Sequence, residues 1–113
     1  MAVLANLEID QGSDFVTQMI LENDDGTPMN LTGFTVYSQF RKSYNSTIGY
    51  TFIPVMVDAI NGSFKLSLAG ATSSTIKPGR YLYDVEIVNT VNNTKSRVVE
   101  GIVSINPEIT KIP

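Results

Sequence analysis

Hydrophobic and polar positions along this chain alternate with a period of two over most of its length. That period is the mark of strands, whose successive side chains point to opposite faces. The clearest run follows Pro78-Gly79: Tyr81, Tyr83, Val85 and Ile87 share one face, Leu82, Asp84 and Glu86 the other. Proline sets a φ near about −65° and glycine accepts the positive φ that a tight turn requires, so a corner is predicted immediately before this strand.

The same pattern predicts the other strands. Val3, Ala5, Leu7 and Ile9 alternate with Leu4, Asn6, Glu8 and Asp10, giving a first short strand. Phe15, Thr17, Met19 and Leu21 oppose Val16, Gln18, Ile20 and Glu22, and apolar residues on both faces predict a central strand. Phe34, Val36, Ser38 and Phe40 face one way and Thr35, Tyr37, Gln39 and Arg41 the other, as in a half-buried antiparallel strand. Thr51 to Val57 places Ile53, Val55 and Val57 in register and carries Pro54, which donates no ladder hydrogen bond and so marks an edge strand or a bulge. Phe64, Leu66 and Leu68 point inward from the next strand. The last runs from Ser96 to Ile105, with Val99, Val103 and Ile105 on one face and Val98 and Ile102 on the other.

Turn chemistry separates these runs. Asn23 to Pro28 is a dense turn cluster, Asn61-Gly62 is the pair favoured where both residues take a positive φ, and Asn89 to Thr94 reads as a hairpin loop. Ala69 to Thr75 is the one stretch suited to a helical turn, with Thr72 or Ser73 as its expected cap. About seven or eight short strands with turns roughly every ten residues predict an all-β sandwich. At 113 residues the chain is read as one domain, 1–113, with extended termini, the last around Asn106 to Pro113.

Composition narrows the chemistry. There is no cysteine and no histidine, so the chain lacks a disulfide framework, a thiolate nucleophile and the commonest general base and metal ligand. Most hydrolase mechanisms go with them, and neither a cofactor nor a metal is expected. A net charge of −3, with Arg41-Lys42 the only adjacent basic pair, argues against a nucleic-acid surface. No apolar run is long enough to span a bilayer as a helix, and Met1 to Ala5 lacks the basic start of a signal peptide, so no membrane partner is expected. Only 17% of residues are charged, and such a neutral surface suits contact with protein because few charges need desolvating.

Two groups of carboxylates are candidates for chemistry. Asp24 and Asp25 lack the ligand spacing of an EF-hand loop and read as a solvated turn. Asp84 and Glu86 lie two apart on one strand face, where Arg80, Lys95 or Arg97 on a neighbouring strand would pair with them. Contact residues are better represented. The loop from Ser43 to Tyr50 carries Tyr44, Ile48 and Tyr50, either folded over the sandwich end or presented to a partner, and tyrosine favours the partner. Val98 and Ile102 give the terminal strand an apolar second face, expected to be covered by another subunit. The predicted protein interface is therefore Tyr44, Ile48, Tyr50, Val98 and Ile102.

Ile76-Lys77-Pro78-Gly79 leading into Tyr81 resembles the approach to the sixth strand of immunoglobulin-like and fibronectin-like sandwiches, where a tyrosine clamps the corner. The wider order of motifs is Gln11-Gly12, Asp25-Gly26-x-Pro28-x-Asn30-Leu31-Thr32-Gly33, Gln39 to Lys42, Gly62 to Leu68, Gly79 to Glu86 and Gly101 to Thr110. That order resembles small β-sandwich virion proteins of tailed bacteriophages, including the N-terminal domain of baseplate upper proteins. The resemblance implies an immunoglobulin-like antiparallel sandwich and a non-enzymatic structural role in the virion: capsid decoration, neck or baseplate. The implied partners are other virion proteins, in a homo-oligomer or multiple symmetric copies, with synthesis in the bacterial host cytoplasm. No active-site residues transfer, and no fibre or receptor-binding domain follows in this sequence. The alternative is a free-standing carbohydrate or host-surface binding module using Tyr37, Tyr44 and Tyr50. A metal-dependent hydrolase is a third reading, disfavoured by the missing histidines and cysteines.

Overall fold

A computed structural model describes residues 2–110. The chain forms β1 (Val3–Leu4), β2 (Leu7–Asp10), β3 (Phe15–Ile20), β4 (Phe34–Arg41), β5 (Tyr50–Thr51), β6 (Ile53–Asp58), β7 (Ser63–Leu68), a single helical turn α1 (Gly70–Ser73), β8 (Gly79–Asn89) and β9 (Lys95–Asn106). These make two sheets and an all-β sandwich. The larger runs β1-β9-β8-β4-β5, with β2 also paired to β9, and the smaller runs β3-β7-β6.

Much of the core lies at inward positions that the alternation predicts, joined by Leu31, Phe52, Ile76 and Val98, which it does not. Tyr81, Tyr83, Val85 and Ile87 of β8 and Val36 and Phe40 of β4 meet Phe64, Leu66 and Leu68 of β7. Full burial of a side chain of this size contributes about 1.5–3 kcal/mol, so these rows dominate the stability. Phe52 completes the core. It follows β5 in one sheet and precedes β6 in the other, and its amide donates to the Ser38 carbonyl oxygen at 3.0 Å. Its ring lies 5.0 Å from that of Phe40 and edge-on to Tyr83 at 6.3 Å. The expected single strand from Thr51 to Val57 is thus divided between the two sheets, with β6 at an edge and a bulge between Met56 and Asp58, in keeping with Pro54.

The corner before β8 forms as expected. Gly79 has φ +144°, and the Tyr81 hydroxyl donates to the Lys77 carbonyl oxygen at 2.6 Å. In the acidic turn Gly26 has φ +85°, and Asp25 Oδ1 accepts bonds from the Thr27 amide and hydroxyl, which hold its carboxyl below the usual carboxylate range.

Several expectations are corrected. The first strand is two short pieces, both parallel to β9, so the sandwich is not wholly antiparallel. β3 is an edge strand and not a central one, because tertiary placement, which alternation does not encode, leaves Val16 and Ile20 in solvent. At Asn61-Gly62 only glycine takes a positive φ, since the connection is a longer turn closed by the Asp58 and Ala59 carbonyls. Neither Thr72 nor Ser73 caps α1. Ala69 occupies the N-cap, and Asp14 supplies the missing acceptor, its Oδ1 taking the Gly70 amide at 2.6 Å. Ser73 is instead fully buried, bonded to the Gly12 amide and the Ser13 carbonyl.

β9 also departs from simple alternation. Val85 pairs with Val99 but the adjacent Glu86 pairs with Arg97, so Val98 is the extra residue of a bulge. Val98 and Val99 are both buried in the core, and Val98 does not share an outer face with Ile102. The strand is not terminal in the sheet either, since β1 and β2 cover its far edge. The tail is described as far as Thr110, where Gln11 accepts the Glu108 amide at 3.1 Å; Lys111 to Pro113 lie outside the described residues.

Candidate protein-interaction surfaces

The loop between β4 and β5 is anchored at its base and projects its apolar side chains. Arg41 donates to the Ser46 carbonyl at 3.1 Å and to Gln39 at 2.8 Å. Its guanidinium lies over Gly49, where a Cβ would come within 2.7 Å of the Arg41 Cζ. A short turn bonded between Ser43 and Ser46 then carries Tyr44, which is 80% exposed, and Ile48, two residues beyond the turn, is 67% exposed. Tyr50 does not join them in solvent. Its ring packs against Phe40 at 5.2 Å and edge-on to Tyr81 at 6.1 Å, and it holds the loop's return to the core.

The predicted contact residues divide between two depressions. Tyr44 and Ile102 line a 510 Å³ depression on the outer face of the larger sheet, together with Tyr37, Leu4 and Leu82. Leu82 and Ile102 stand directly opposite one another in register. Across the same face Arg97 bridges Asp84 at 3.1 Å and Glu100 at 3.3 Å, and Asp84 is the main reason its guanidinium is held above its ordinary pKa. The expected cross-strand pairing of Asp84 is therefore made, by Arg97. These partners are partly exposed, and such bridges contribute at most about 1 kcal/mol. Ile48 and Tyr50 line a second depression of 650 Å³ with Lys42, Lys77 and Tyr81. There the Lys42 ammonium sits 4.9 Å from the centre of the Tyr81 ring, a cation–π contact. Val98 reaches neither depression.

Sequence reasoning missed a further apolar surface on the outside of the smaller sheet. Val16 and Ile20 on β3, and Ile53, Val55 and Val57 on β6, are each roughly half exposed or more. Two-sided apolar alternation in β3 is the signal for it, but the same pattern describes a covered central strand. Among the described residues no group of three or more His, Cys, Asp or Glu is placed to hold a metal ion, and no helix is long and apolar enough to cross a membrane. Comparison of the chain with protein-family models and with curated proteins gives no match.

Proposed function

We propose that this chain is a non-enzymatic structural component of a tailed-phage virion, acting by protein–protein docking. The single observation that carries the docking role is the anchored loop that holds Tyr44 and Ile48 in solvent. An exposed apolar pair on a fixed base loses little entropy on binding and gains from burial. Assignment to a virion rests on the resemblance of the motif order. An immunoglobulin-like type of sandwich is part of the same proposal. It is supported by the order of β9-β8-β4-β5 against β3-β7-β6 and by the tyrosine hydroxyl closing the corner before β8. Density for the chain in purified particles imaged by cryo-electron microscopy, with Tyr44 and Ile48 at a contact, is the expected result. A chain found only as a free monomer and never in particles overturns the proposal.

A second reading, a carbohydrate-binding module, is favoured by Tyr37 and Tyr44 lining one depression beside the hydrogen-bonding Asp84, Arg97 and Glu100. Tyr50 has no part in that platform. Glycan binding by the isolated monomer that is lost in Tyr37→Ala would favour this reading.

A further inference from the structure

An open strand edge is a template for another strand, and proteins blunt such edges with brevity, proline, bulges or charge. Most of the edges in this sandwich are treated that way. β5 is two residues long. β6 has Pro54 and a bulge. The β1/β2 edge is interrupted at Ala5 and Asn6 and carries Glu8 and Asp10. β3 is different: Phe15-Val16-Thr17-Gln18-Met19-Ile20 holds unbroken register with β7 and has no proline, bulge or charge.

Its open side can be assigned. The Leu21 amide donates to the Gly62 carbonyl oxygen at 2.9 Å, one step beyond the Ile20–Ser63 pair. Because hydrogen-bonded positions alternate along an antiparallel ladder, Phe15, Thr17 and Met19 bond to β7. Val16, Gln18 and Ile20 then direct their backbone N–H and C=O groups outward. Among the described residues no backbone group outside β7 meets them. The side chains report the same openness, with Val16 61% and Ile20 66% exposed and the inward row of Phe15, Thr17 and Met19 only half-buried.

We infer that β3 is a self-pairing edge: a second copy of this chain adds its own β3 in antiparallel register about a two-fold axis through Gln18, joining the two smaller sheets. The strand is self-complementary in that register. Gln18 lies opposite its counterpart, Val16 opposite Ile20, and Thr17 opposite Met19, so every pair keeps apolar against apolar or neutral polar groups on one face. No charge within the strand is desolvated or opposed to its like. Just beyond the strand's two ends this register sets Asp14 of one copy opposite Glu22 of the other; both are exposed, where solvent and salt screen their repulsion, and Asp14 is already held by the Gly70 amide. A strand pair of this length buries less than a standard interface, so the dimer forms in a concentration-dependent way. The inference concerns the isolated chain and does not depend on the virion reading.

Sedimentation equilibrium of the purified chain over a range of concentrations, with hydrogen exchange at low and high concentration, tests it. The expected result is a monomer–dimer equilibrium in which protection rises at the Val16, Gln18 and Ile20 amides. Gln18→Lys, which places like charges across the axis on an exposed position, weakens dimerisation by about tenfold or more. Ile53→Lys on the opposite edge strand leaves it unchanged. A wild-type chain that stays monomeric up to its solubility limit overturns the inference. So does a dimer that persists unweakened in Gln18→Lys, or one whose new protection falls on β6 instead of β3.

Discussion

The Tyr83 hydroxyl, on the buried face of β8, donates to the carbonyl oxygen of Ala5, in the gap between β1 and β2. The gap is closed from β9 as well. The Ala5 amide donates to the Glu100 carbonyl at 2.9 Å, and Asn6 Oδ1 takes the Ile102 amide at 3.0 Å in place of a backbone acceptor. Residues at the interruption are thereby satisfied, and the N-terminal segment holds one register along β9 on both sides of it.

Tyr83→Phe removes this tie and leaves the Ala5 carbonyl short of a donor, at a cost of about 1–2 kcal/mol. Urea unfolding at neutral pH, with the wild type and variant compared at the same m-value, measures it.

Burial pushes the Tyr83 hydroxyl pKa up to about 12, from an ordinary value of 10.0. Between those values the unfolded chain has lost a proton that the folded chain retains, so stability falls as pH rises. The contribution is fully present below pH 10 and lost by about pH 12, a decline of roughly 2–3 kcal/mol. Tyr81, raised by burial and then by Tyr50, adds to the same decline. Unfolding midpoints measured from pH 9 to 12 should fall for the wild type and fall less for Tyr83→Phe.

Gly101 is where the N-terminal segment comes closest to β9. A Cβ there would collide with the Ala5 carbonyl oxygen and stand 3.0 Å from Asn6 Oδ1. Gly101→Ala is expected to destabilise by about 1–3 kcal/mol and to speed hydrogen exchange in β1 and β2 first. Uniform exchange across the larger sheet would contradict that.

Asp14 caps α1 across the fold. Asp14→Ala should cost about 1 kcal/mol, and Asp14→Asn, which keeps a side-chain acceptor, distinctly less. Thermal melts of both variants against wild type decide between them.

Val98 and Ile102 separate buried from surface roles on one strand. Val98→Ala is expected to cost about 1–2 kcal/mol, because the bulge places its side chain in the core. Tyr44→Ala and Ile48→Ala should lie within about 0.5 kcal/mol of wild type in denaturant unfolding, and under the proposed docking role they reduce incorporation into particles.

Local pattern made much of this protein legible. The inward rows of β4, β7 and β8, the turn at Gly26 and the corner at Gly79 follow from a period of two and from the φ requirements of proline and glycine, which act within a few residues. That Ser43 to Tyr50 forms a loop longer than a tight hairpin was legible for the same reason, whereas its projection with Tyr44 and Ile48 in solvent came from the structure. The bulge at Val98 was not, because one inserted residue is defined only by the register of a partner strand, and it moved a predicted contact residue into the core.

By itself, then, the sequence determined the inward rows of β4, β7 and β8, where the chain turns, and that it holds no cysteine or histidine. Only the tertiary structure decided that Phe52 carries the chain from one sheet to the other, that Asp14 caps a helix far along the chain, that Tyr50 packs half-buried against the core, and that β3 lies at an open edge. Each of these depends on pairing between segments distant in sequence, where hydrogen bonds and packing across sheets choose among arrangements that alternation alone leaves equal.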